Sequence, residues 1–596
     1  MIRALPLVLA LALAASRVAA AEPAWHLDTT RYFASTDAEA SQRVALMTRL
    51  DAFAAASSQA PPTAAALLAL LRSDDALRRE LALHALFVHL QAERDTGDHA
   101  AAAADAALDA AADRQDAALQ RTLLALGKPT AESFLAAEPG LQPFRYLVES
   151  SLRLPPVSAA DEHAIAQLSQ PALDSLARSY ADLRREVLHA APAKPPAGER
   201  QAAFQAKWAP WLANEPAFAA LLVPLATLQD GTARLQGFAD AAEAAYVRTG
   251  LTPAQVRGAL QAVRQSGAWK DYAAVVASEA ARHLGTTPEA IKPWDLDAAD
   301  TWQPPPVAFA DAVPLILAAD RRAGDTISGQ FERLFDPANA RVDWCHAPGC
   351  DDTGFSVGGA GATSGLFYGG FDGSTDALRA VAHEAGHAVH RQFMSEHQPI
   401  AAYNDGPKFM FESFAIFNEL LFLDHLQRSA PTPAAQAATL RRFLDDASFQ
   451  VFGSAEETEL EATLHAEIAA GRVRTAADLD ARTLAVLRAW TPRALMADES
   501  RATWARNKLF FIDPFYDVNY LFAGLLALDY LRQFERNPQD FERRYAALQG
   551  NGFDDAPAVL LKRFMQVDLD DPAALVRGAT GQIAARTATL AALYAR

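Results

Sequence analysis

Cysteine is scarce in this sequence, because Cys345 and Cys350 are the only two among 596 residues. They lie five positions apart, and in an oxidising compartment such a pair is expected to form a small disulfide loop. A structural zinc site would need two more soft ligands close by, and only His346 lies there. The pair therefore predicts a local disulfide rather than a zinc knuckle.

Positive charge is in deficit, since 54 Lys and Arg residues face 72 Asp and Glu residues and leave a formal net charge of −18. This balance argues against nucleic acid as a partner, because few cations would be left to neutralise phosphates. It argues more weakly against an anionic membrane surface. A phosphate-binding loop is not expected either, because the only Gly-Lys pair, Gly127-Lys128, is followed by Pro129.

Long hydrophobic runs are absent after the N-terminus. After a basic start, residues 4–15 form an apolar run, and the small residues Val18-Ala19-Ala20 offer a cleavage site just after Ala20 or Ala21. The run is too short for a permanent membrane span. We therefore predict a signal peptide at 1–21 and an exported chain, periplasmic or secreted, with no membrane anchor. A buried N-terminal helix is the alternative interpretation.

The rest of the chain is long enough for two or more subdomains and is rich in residues that favour helices. Apolar residues recur at three- and four-residue spacing from about 29 to 188, which indicates successive helices. We predict a mainly α fold, with an N-terminal helical region at 22–200 and a second domain at 201–596.

One glycine-rich zone interrupts the helical pattern. Eight glycines between 351 and 373 surround the apolar run Leu366-Phe367-Tyr368. Glycine clusters indicate loops and turns, and a short apolar run between them is typical of a buried strand. The zone therefore predicts a small sheet just before the next helix.

The string His383-Glu384-Ala385-Gly386-His387 carries the strongest chemical signal in the chain. On an α-helix the two histidines lie one turn apart on the same face, where both imidazoles can hold one zinc ion. The glutamate beside them can then reach a water molecule at the metal. The string therefore predicts a metal-binding helix with its own general base.

The flanking residues support a helix here. Ser374 or Thr375 can cap its start, and Gly386 allows a neighbouring backbone to approach closely. Apolar residues form a stripe that points away from the histidines and predicts the packed face of the helix. They are Leu378, Ala382, Ala385, Val389 and Phe393.

A third ligand must come from elsewhere in the chain, because the metzincin pattern would need a histidine where Phe393 stands. Glu412 is the best candidate, since it lies in an apolar helical stretch and a buried carboxylate needs a cation or strong hydrogen bonds. An arginine partner for it is the alternative. We predict one zinc ion per chain, held by His383, His387 and Glu412.

Three further residues near the motif are candidates for supporting roles. Glu419 lies two turns after Glu412 and is either a partner of a ligand or a rival ligand. His390 lies on the metal face and is predicted to contact a ligand or the substrate. Asp376 can orient the ring of His383, or it can simply cap the helix.

These motifs resemble the thimet oligopeptidase and oligoendopeptidase F family of zinc peptidases, and most closely its oligoendopeptidase F branch. His390 falls where the family has a further histidine, and Glu412 is followed by Asn418-Glu419 at the family's offset. The resemblance covers about 284–564, which would make this the core of a catalytic zinc peptidase domain.

The resemblance implies two mostly helical halves that flank a deep substrate channel, with zinc on its floor and a small sheet beside the metal-binding helix, as in zincins. It implies that the strand near 366–371 runs beside the bound peptide, and that Tyr516 and Tyr520 bind the oxyanion. Packing in an aromatic core is the alternative for both tyrosines. The family has a histidine shortly before them, whereas no histidine follows His465 here, and we interpret His465 as structural.

By resemblance, the chain would be an endopeptidase that hydrolyses internal bonds of unstructured oligopeptides, with Glu384 as general base. Leu366, Phe367, Tyr368 and Phe371 would set loose side-chain preferences, and the negative net charge would weakly disfavour acidic peptides. A zinc dipeptidyl- or carboxypeptidase of related fold, and an inactive peptide-binding relative, are the alternatives. We expect a monomer or a weak oligomer.

Overall fold

The computed structural model describes residues 25–57, 60–155, 157–189, 199–300, 302–347, 349–492 and 495–596. The predicted signal peptide at 1–21 lies outside these ranges.

Helices make up most of the described chain, in two series separated by a small sheet. Before the sheet are α1 (Thr36–Ala56), α2 (Ala64–Arg94), α3 (His99–Leu126), α4 (Lys128–Ala137), α5 (Arg145–Ser151), α6 (Ala159–Ala164), α7 (Gln170–His189), α8 (Arg200–Ala213), α9 (Glu215–Leu235), α10 (Ala241–Arg248), α11 (Pro253–Gln265), α12 (Ala268–Leu284), α13 (Phe309–Asp320) and α14 (Asp325–Leu334). After it are α15 (Thr375–His397), α16 (Lys408–Ser429), α17 (Pro433–Ser448), α18 (Ser454–Ala469), α19 (Ala476–Trp490), α20 (Thr503–Arg506), α21 (Leu509–Ile512), α22 (Asp517–Arg536), α23 (Pro538–Asn551), α24 (Pro557–Leu560) and α25 (Pro572–Tyr594). The predicted mainly α fold with one small sheet is confirmed.

The sheet has three strands, β1 (Val342–Cys345), β2 (Gly354–Gly359) and β3 (Ala362–Gly369), in the order β1-β3-β2. β1 runs parallel to β3, and β2 runs antiparallel to it. Because β3 is central, both of its edges are already hydrogen-bonded. β3 therefore has no free edge on which a peptide could pair through its backbone. The expectation that the strand near 366–371 runs beside a bound peptide stays a prediction.

The side chains of β3 differ from the prediction. Leu366 and Phe367 are fully buried on opposite faces of the sheet. Leu366 packs in the core around α15, and Phe367 stacks on Phe355 at 4.8 Å between ring centroids. These two side chains build the core and cannot select a substrate. Tyr368 and Phe371 are partly buried, and only they keep an accessible surface.

The outer edge of β1 is covered by the first described residues of the chain. The backbone N–H of Trp344 donates to the carbonyl of Trp25 at 3.2 Å, and the N–H of Leu27 donates to the carboxylate of Asp343 at 3.2 Å. Cys345, the last residue of β1, is joined to Cys350 by a disulfide. Of the two outer strands, β2 is therefore the one left to accept another strand.

The apolar core is divided between one large cluster and three smaller ones. The large cluster is built from α7 to α25, and the smaller clusters are built mainly from α1 to α5, with one of them covering β2 and β3. Tyr180 of α7 stacks on Phe511 at 3.9 Å between ring centroids. Although α7 lies within the predicted N-terminal region at 22–200, it packs with the large cluster.

None of the described helices is by itself long and apolar enough to cross a membrane. Two pairs joined at sharp bends meet the length and composition criteria only when taken together. They are Arg200–Ala213 with Glu215–Leu235, and Asp498–Ile512 with Asp517–Arg536.

Local sequence explains why α15 begins and packs where it does. The Ser374 hydroxyl accepts a hydrogen bond from the Ala377 N–H at 3.1 Å, which is the predicted cap. The predicted apolar stripe is buried along its whole length. At Gly386, a Cβ atom would lie 2.9 Å from the Ala415 Cα and 3.2 Å from the Phe414 carbonyl oxygen. Only glycine therefore lets α16 approach α15 this closely.

We expect Gly386→Ala to lower the thermal unfolding midpoint, because the added methyl group meets the backbone of α16. Overpacking of this kind costs roughly 1–3 kcal/mol in the free energy of unfolding. Gly581→Ala on α25 is the matched control, since its Cβ would meet nothing within 4 Å. That control should gain about 0.5–1 kcal/mol from helix propensity. Equal shifts in the two variants would contradict the close contact.

Candidate metal centre and active site

Three predicted ligands converge where α15 faces α16. The Nε2 atom of His383 lies 3.4 Å from Oε2 of Glu412, and Nε2 of His387 lies 3.6 Å from the same oxygen. One ligand atom from each residue lies within 4.8 Å of the other two. The helix hairpin therefore brings two imidazole nitrogens and one carboxylate oxygen together, as the motif spacing predicted.

The donor set fits a tetrahedral metal ion. Ligand atoms about 2.1 Å from zinc at tetrahedral angles lie about 3.4 Å from one another. The measured separations of 3.4 and 3.6 Å from the Glu412 oxygen agree with that value. The three side chains are between 12% and 19% exposed, so one side of the group remains open to solvent. Such an open position is typical of catalytic rather than structural sites.

Glu419 holds the ring of His383. This fully buried carboxylate lies 3.0 Å from Nδ1 of His383, which leaves Nε2 facing the other ligands. Its second oxygen contacts Arg379, and Arg379 also lies 3.3 Å from Asp446. A carboxylate on the far ring nitrogen fixes the tautomer of a metal-binding histidine and raises its basicity. Of the two roles left open for Glu419, the geometry matches that of a ligand's partner.

The predicted role of Asp376 in orienting His383 is wrong. Its carboxylate accepts a hydrogen bond from Arg442 of α17 at 2.8 Å and is 65% exposed. Asp376 lies in the first turn of α15, on the side that faces α17, so it cannot reach a ring two turns further on. Its position near the helix N-terminus agrees with the simpler alternative, a favourable charge on the helix dipole.

His390 is also displaced from its predicted role. It is 1% exposed, and its ring lies 4.1 Å from that of Phe414 and 4.7 Å from that of Phe411. Burial holds the pKa of His390 well below its ordinary value, so it is neutral. Because α16 crosses α15 at this turn, its aromatic side chains cover a residue that helical spacing alone would place on the metal face.

Glu384 lies beside the ligand group but is not part of it. Burial raises the pKa of its carboxyl group above the ordinary value, while the imidazoles of His383 and His387 oppose that change. Burial alone would raise the pKa of Glu412 as well. Hydrogen bonds from the same two imidazoles outweigh the effect of burial, so the pKa of Glu412 lies below its ordinary value. Two carboxyl groups in one site thus have pKa values driven in opposite directions, which is a frequent property of catalytic sites.

Both predicted tyrosines reach the site. The hydroxyl of Tyr516 donates to Oε1 of Glu412 at 2.8 Å, and the Tyr520 ring lies 5.1 Å from that of Tyr516. Among the described residues, the Tyr520 hydroxyl has no hydrogen-bond partner. Burial raises the pKa of both phenols, so both remain protonated donors. Tyr516 thus supports a predicted ligand, whereas Tyr520 keeps its donor free.

Sequence reasoning missed the residue that sets the tyrosine segment in place. Phe515 has a φ of 64°, which is rare for a bulky residue, and its N–H donates to Oε2 of Glu461 at 2.8 Å. Glu461 lies on α18 and is 1% exposed. Glu461 is one of five glutamates in α18, so the sequence carries no signal that singles it out. The neighbouring His465 is buried with a pKa lowered to about 4, as expected of a structural residue.

The family assignment follows from the sequence around this centre. Residues 372–579 match the profile of peptidase family M3. This segment is a peptidase family M3 domain. It begins just before α15 and ends within α25, so it contains the ligand group, Glu384 and both tyrosines.

Curated relatives match part of this chain. The oligoendopeptidase F homolog of Lactococcus lactis subsp. lactis is 28% identical over 182 residues, which is 30% of each chain. Group B oligopeptidase PepB of Streptococcus agalactiae is 27% identical over 197 residues, 32% of each chain. The match thus spans about a third of the length of these relatives.

Solved structures extend the likeness to nearly the whole chain, at the level of the fold. Oligoendopeptidase-F from Enterococcus faecium superposes with a TM-score of 0.66 at 18% identity, covering 93% of this chain and 99% of that one. PZ peptidase A superposes with a TM-score of 0.70 at 18% identity, covering 91% and 96%. The helices that precede the M3 domain therefore belong to the same architecture.

We expect substitutions at Glu419 and at Asp376 to affect the affinity for zinc differently. His387→Ala and Glu412→Ala should abolish tight zinc binding, because each removes a ligand. Glu419→Gln should weaken binding by about 10- to 100-fold, the usual effect of losing a ligand's hydrogen-bond partner. Asp376→Asn is the matched control on the same helix and should bind zinc normally.

The measurement is zinc titration in competition with a chromophoric chelator. Full affinity in Glu412→Ala would remove it as third ligand. Equal affinities in Glu419→Gln and Asp376→Asn would show that the buried contact does not orient the ring.

Proposed function

We propose that this chain is an exported zinc-dependent endopeptidase that hydrolyses internal peptide bonds of unstructured oligopeptides. One observation carries the proposal. Within an M3 domain, two imidazoles and a carboxylate converge at the spacing of a tetrahedral metal site. Glu384 lies beside them and is not one of the candidate ligands. This combination is the donor set and general base of metal-assisted hydrolysis.

His383, His387 and Glu412 would hold the ion. When bound there, zinc would polarise the scissile carbonyl and lower the pKa of a water molecule. Glu384 takes the proton from the attacking water and delivers it to the departing amine. Burial raises the pKa of Glu384 above its ordinary value, which makes the carboxylate a stronger base for taking this proton.

Tyr520 would supply a hydrogen bond to the developing negative charge, while Tyr516 supports the ligand Glu412. Tyr520 has a free hydroxyl near Glu412 and Glu384, both of which contribute to raising its pKa after burial itself. Tyr516 is held by Glu412. A fixed donor aimed at a developing oxyanion stabilises the transition state more than the substrate. Tyr520 would thereby do the work for which the family also uses a histidine, absent here after His465.

Export rests on the leader sequence, and the loop closed by Cys345 and Cys350 supports an oxidising compartment. N-terminal sequencing of the protein from a periplasmic or secreted fraction should give a mature chain that starts at Ala21 or Glu22. A chain that retains Met1 in that fraction would contradict processing.

We expect Tyr520→Phe to keep its zinc and lose at least about 100-fold in kcat, because it removes a free oxyanion donor. Tyr516→Phe should also lose activity, but with weaker zinc binding, because Glu412 loses its hydrogen bond. Steady-state rates and zinc titration on the two variants test this difference. If both variants turn over normally, the tyrosines are packing residues.

The decisive experiment digests a diverse pool of unstructured peptides and a stable folded protein under the same conditions. We expect internal cuts in the peptides and an intact folded protein. A chelator should abolish turnover, and Glu384→Gln should keep zinc while losing at least about 100-fold in rate, the lower end for acid–base catalysis.

Each other outcome selects a different function. Release of only C-terminal residues or dipeptides would indicate the carboxypeptidase or dipeptidyl alternative. Full zinc occupancy without cleavage of any peptide would indicate an inactive peptide-binding relative. A near-normal rate in Glu384→Gln would refute its role as general base.

A further inference from the structure

An arginine on the metal-binding helix has a position that hydrolysis alone does not explain. Arg391 lies seven residues after Glu384, which puts it on the same face of α15 and about 10.5 Å further along the axis. Its Nε donates to the Ser356 hydroxyl at 3.0 Å, and Nη1 donates to the Gly358 carbonyl at 3.3 Å. The guanidinium lies 4.9 Å over the Phe411 ring. Arg391 therefore sits between α15 and β2.

Arg391 makes no ion pair with any acidic side chain of the described residues, although the chain has an excess of 18 negative charges. Its protein partners are a hydroxyl, a carbonyl and an aromatic ring, and its Nη2 has no hydrogen-bond partner in the described part of the chain. By contrast, Arg379 on the same helix pairs with Glu419 and Asp446. The guanidinium is half-buried, and Asp405 and Glu384 favour its charge only from beyond ion-pair distance, so it can still take a carboxylate as a direct partner.

β2 connects this cation to the reaction centre. A Cβ at Gly354 would lie 3.1 Å from Cγ of Glu384, so the start of β2 is beside the general base. Ser356 and Gly358, further along the strand, contact Arg391. Since β3 is central and the edge of β1 is covered, β2 offers the edge for an added strand. An extended peptide advances about 3.3 Å per residue, so 10.5 Å corresponds to about three residues.

We propose that Arg391 binds a carboxylate of the peptide substrate about three residues from the cleaved bond. The inference rests on the proposed function. It names the substrate class as peptides that carry an acidic side chain, or their own C-terminal carboxylate, at that distance. The net charge of the protein is expected to weaken the binding of acidic peptides slightly, whereas Arg391 would strengthen it. Salt screens the effect of the net charge, so the direct contact with Arg391 dominates.

The test compares matched peptides that differ only by Glu or Gln at each of four positions on either side of the cleaved bond. Each is made with a free and with an amidated C-terminus, and kcat/KM is measured. We expect the wild type to favour the carboxylate at one position by about tenfold, as for a hydrogen bond to a charged group. Arg391→Gln should bring that ratio to about one, and Arg391→Lys should retain part of it.

Arg442→Gln is the matched control, because it removes one positive charge at the other end of α15, where Arg442 pairs with Asp376. Its Glu/Gln ratio should equal that of the wild type. If Arg391 only braces β2, its variants will slow both peptides equally and the wild-type ratio will be near one at every position, which overturns the proposal. An effect of amidation alone identifies the C-terminal carboxylate as the ligand, and an effect of internal Glu identifies a side chain.

A binding measurement keeps this inference separate from the proposed function. Fluorescence anisotropy of the same labelled peptides on Glu384→Gln and on Glu384→Gln with Arg391→Gln gives the Kd ratio without turnover. If no peptide is ever cut, the proposed function fails, while a tenfold Kd preference lost with Arg391 still supports the carboxylate site. Equal Kd values for Glu and Gln peptides overturn it whether or not cutting occurs.

Discussion

The charge of Glu419 is the constraint on which the candidate metal centre depends. Its side chain is fully buried, and an unpaired carboxylate there would cost several kcal/mol. Arg379 and the Nδ1 atom of His383 satisfy it, and the same contact points Nε2 of His383 at Glu412. The contacts that neutralise the buried Glu419 carboxylate therefore also orient the His383 ring.

The close packing of α15 on α16 makes this arrangement possible. Gly386 allows the two backbones to meet, and the amide of Asn418 donates to the Ala382 carbonyl at 2.7 Å across the interface. Three carboxyl groups then share a small volume, and each is given a different environment. Glu419 contacts a guanidinium and Glu412 contacts two imidazoles, whereas Glu384 makes no ion pair with a described residue, as the proposed general base requires.

Local sequence signals predicted the local structure well. The spacing of His383 and His387, the cap at Ser374 and the apolar stripe all depend on helix periodicity, which is a property of neighbours in the chain. Glu412 could be predicted because a carboxylate in an apolar helix needs a cation, wherever that cation comes from.

The wrong predictions all concern relations between elements. Whether Asp376 or Glu419 holds His383 depends on how α16 crosses α15, and the same crossing covers His390. The central place of β3, which buries Leu366, depends on β1 pairing with it in parallel and β2 antiparallel. Neither crossing angles nor strand order has a local signature in the sequence. The left-handed Phe515 held by Glu461 belongs to the same class, because its partner lies on another helix.

The ligands and the tyrosines differ in how far apart they lie along the chain. His383, His387, Glu412 and Glu419 all belong to two consecutive helices, whereas the contact from Glu412 to Tyr516 joins residues 104 positions apart. Closing a longer loop costs more chain entropy, so the tyrosines are brought to the centre at a greater cost than the ligands. The part of the site that would retain the metal is thus assembled from a single stretch of chain, and the part that would meet the reacting carbonyl depends on the tertiary fold as a whole.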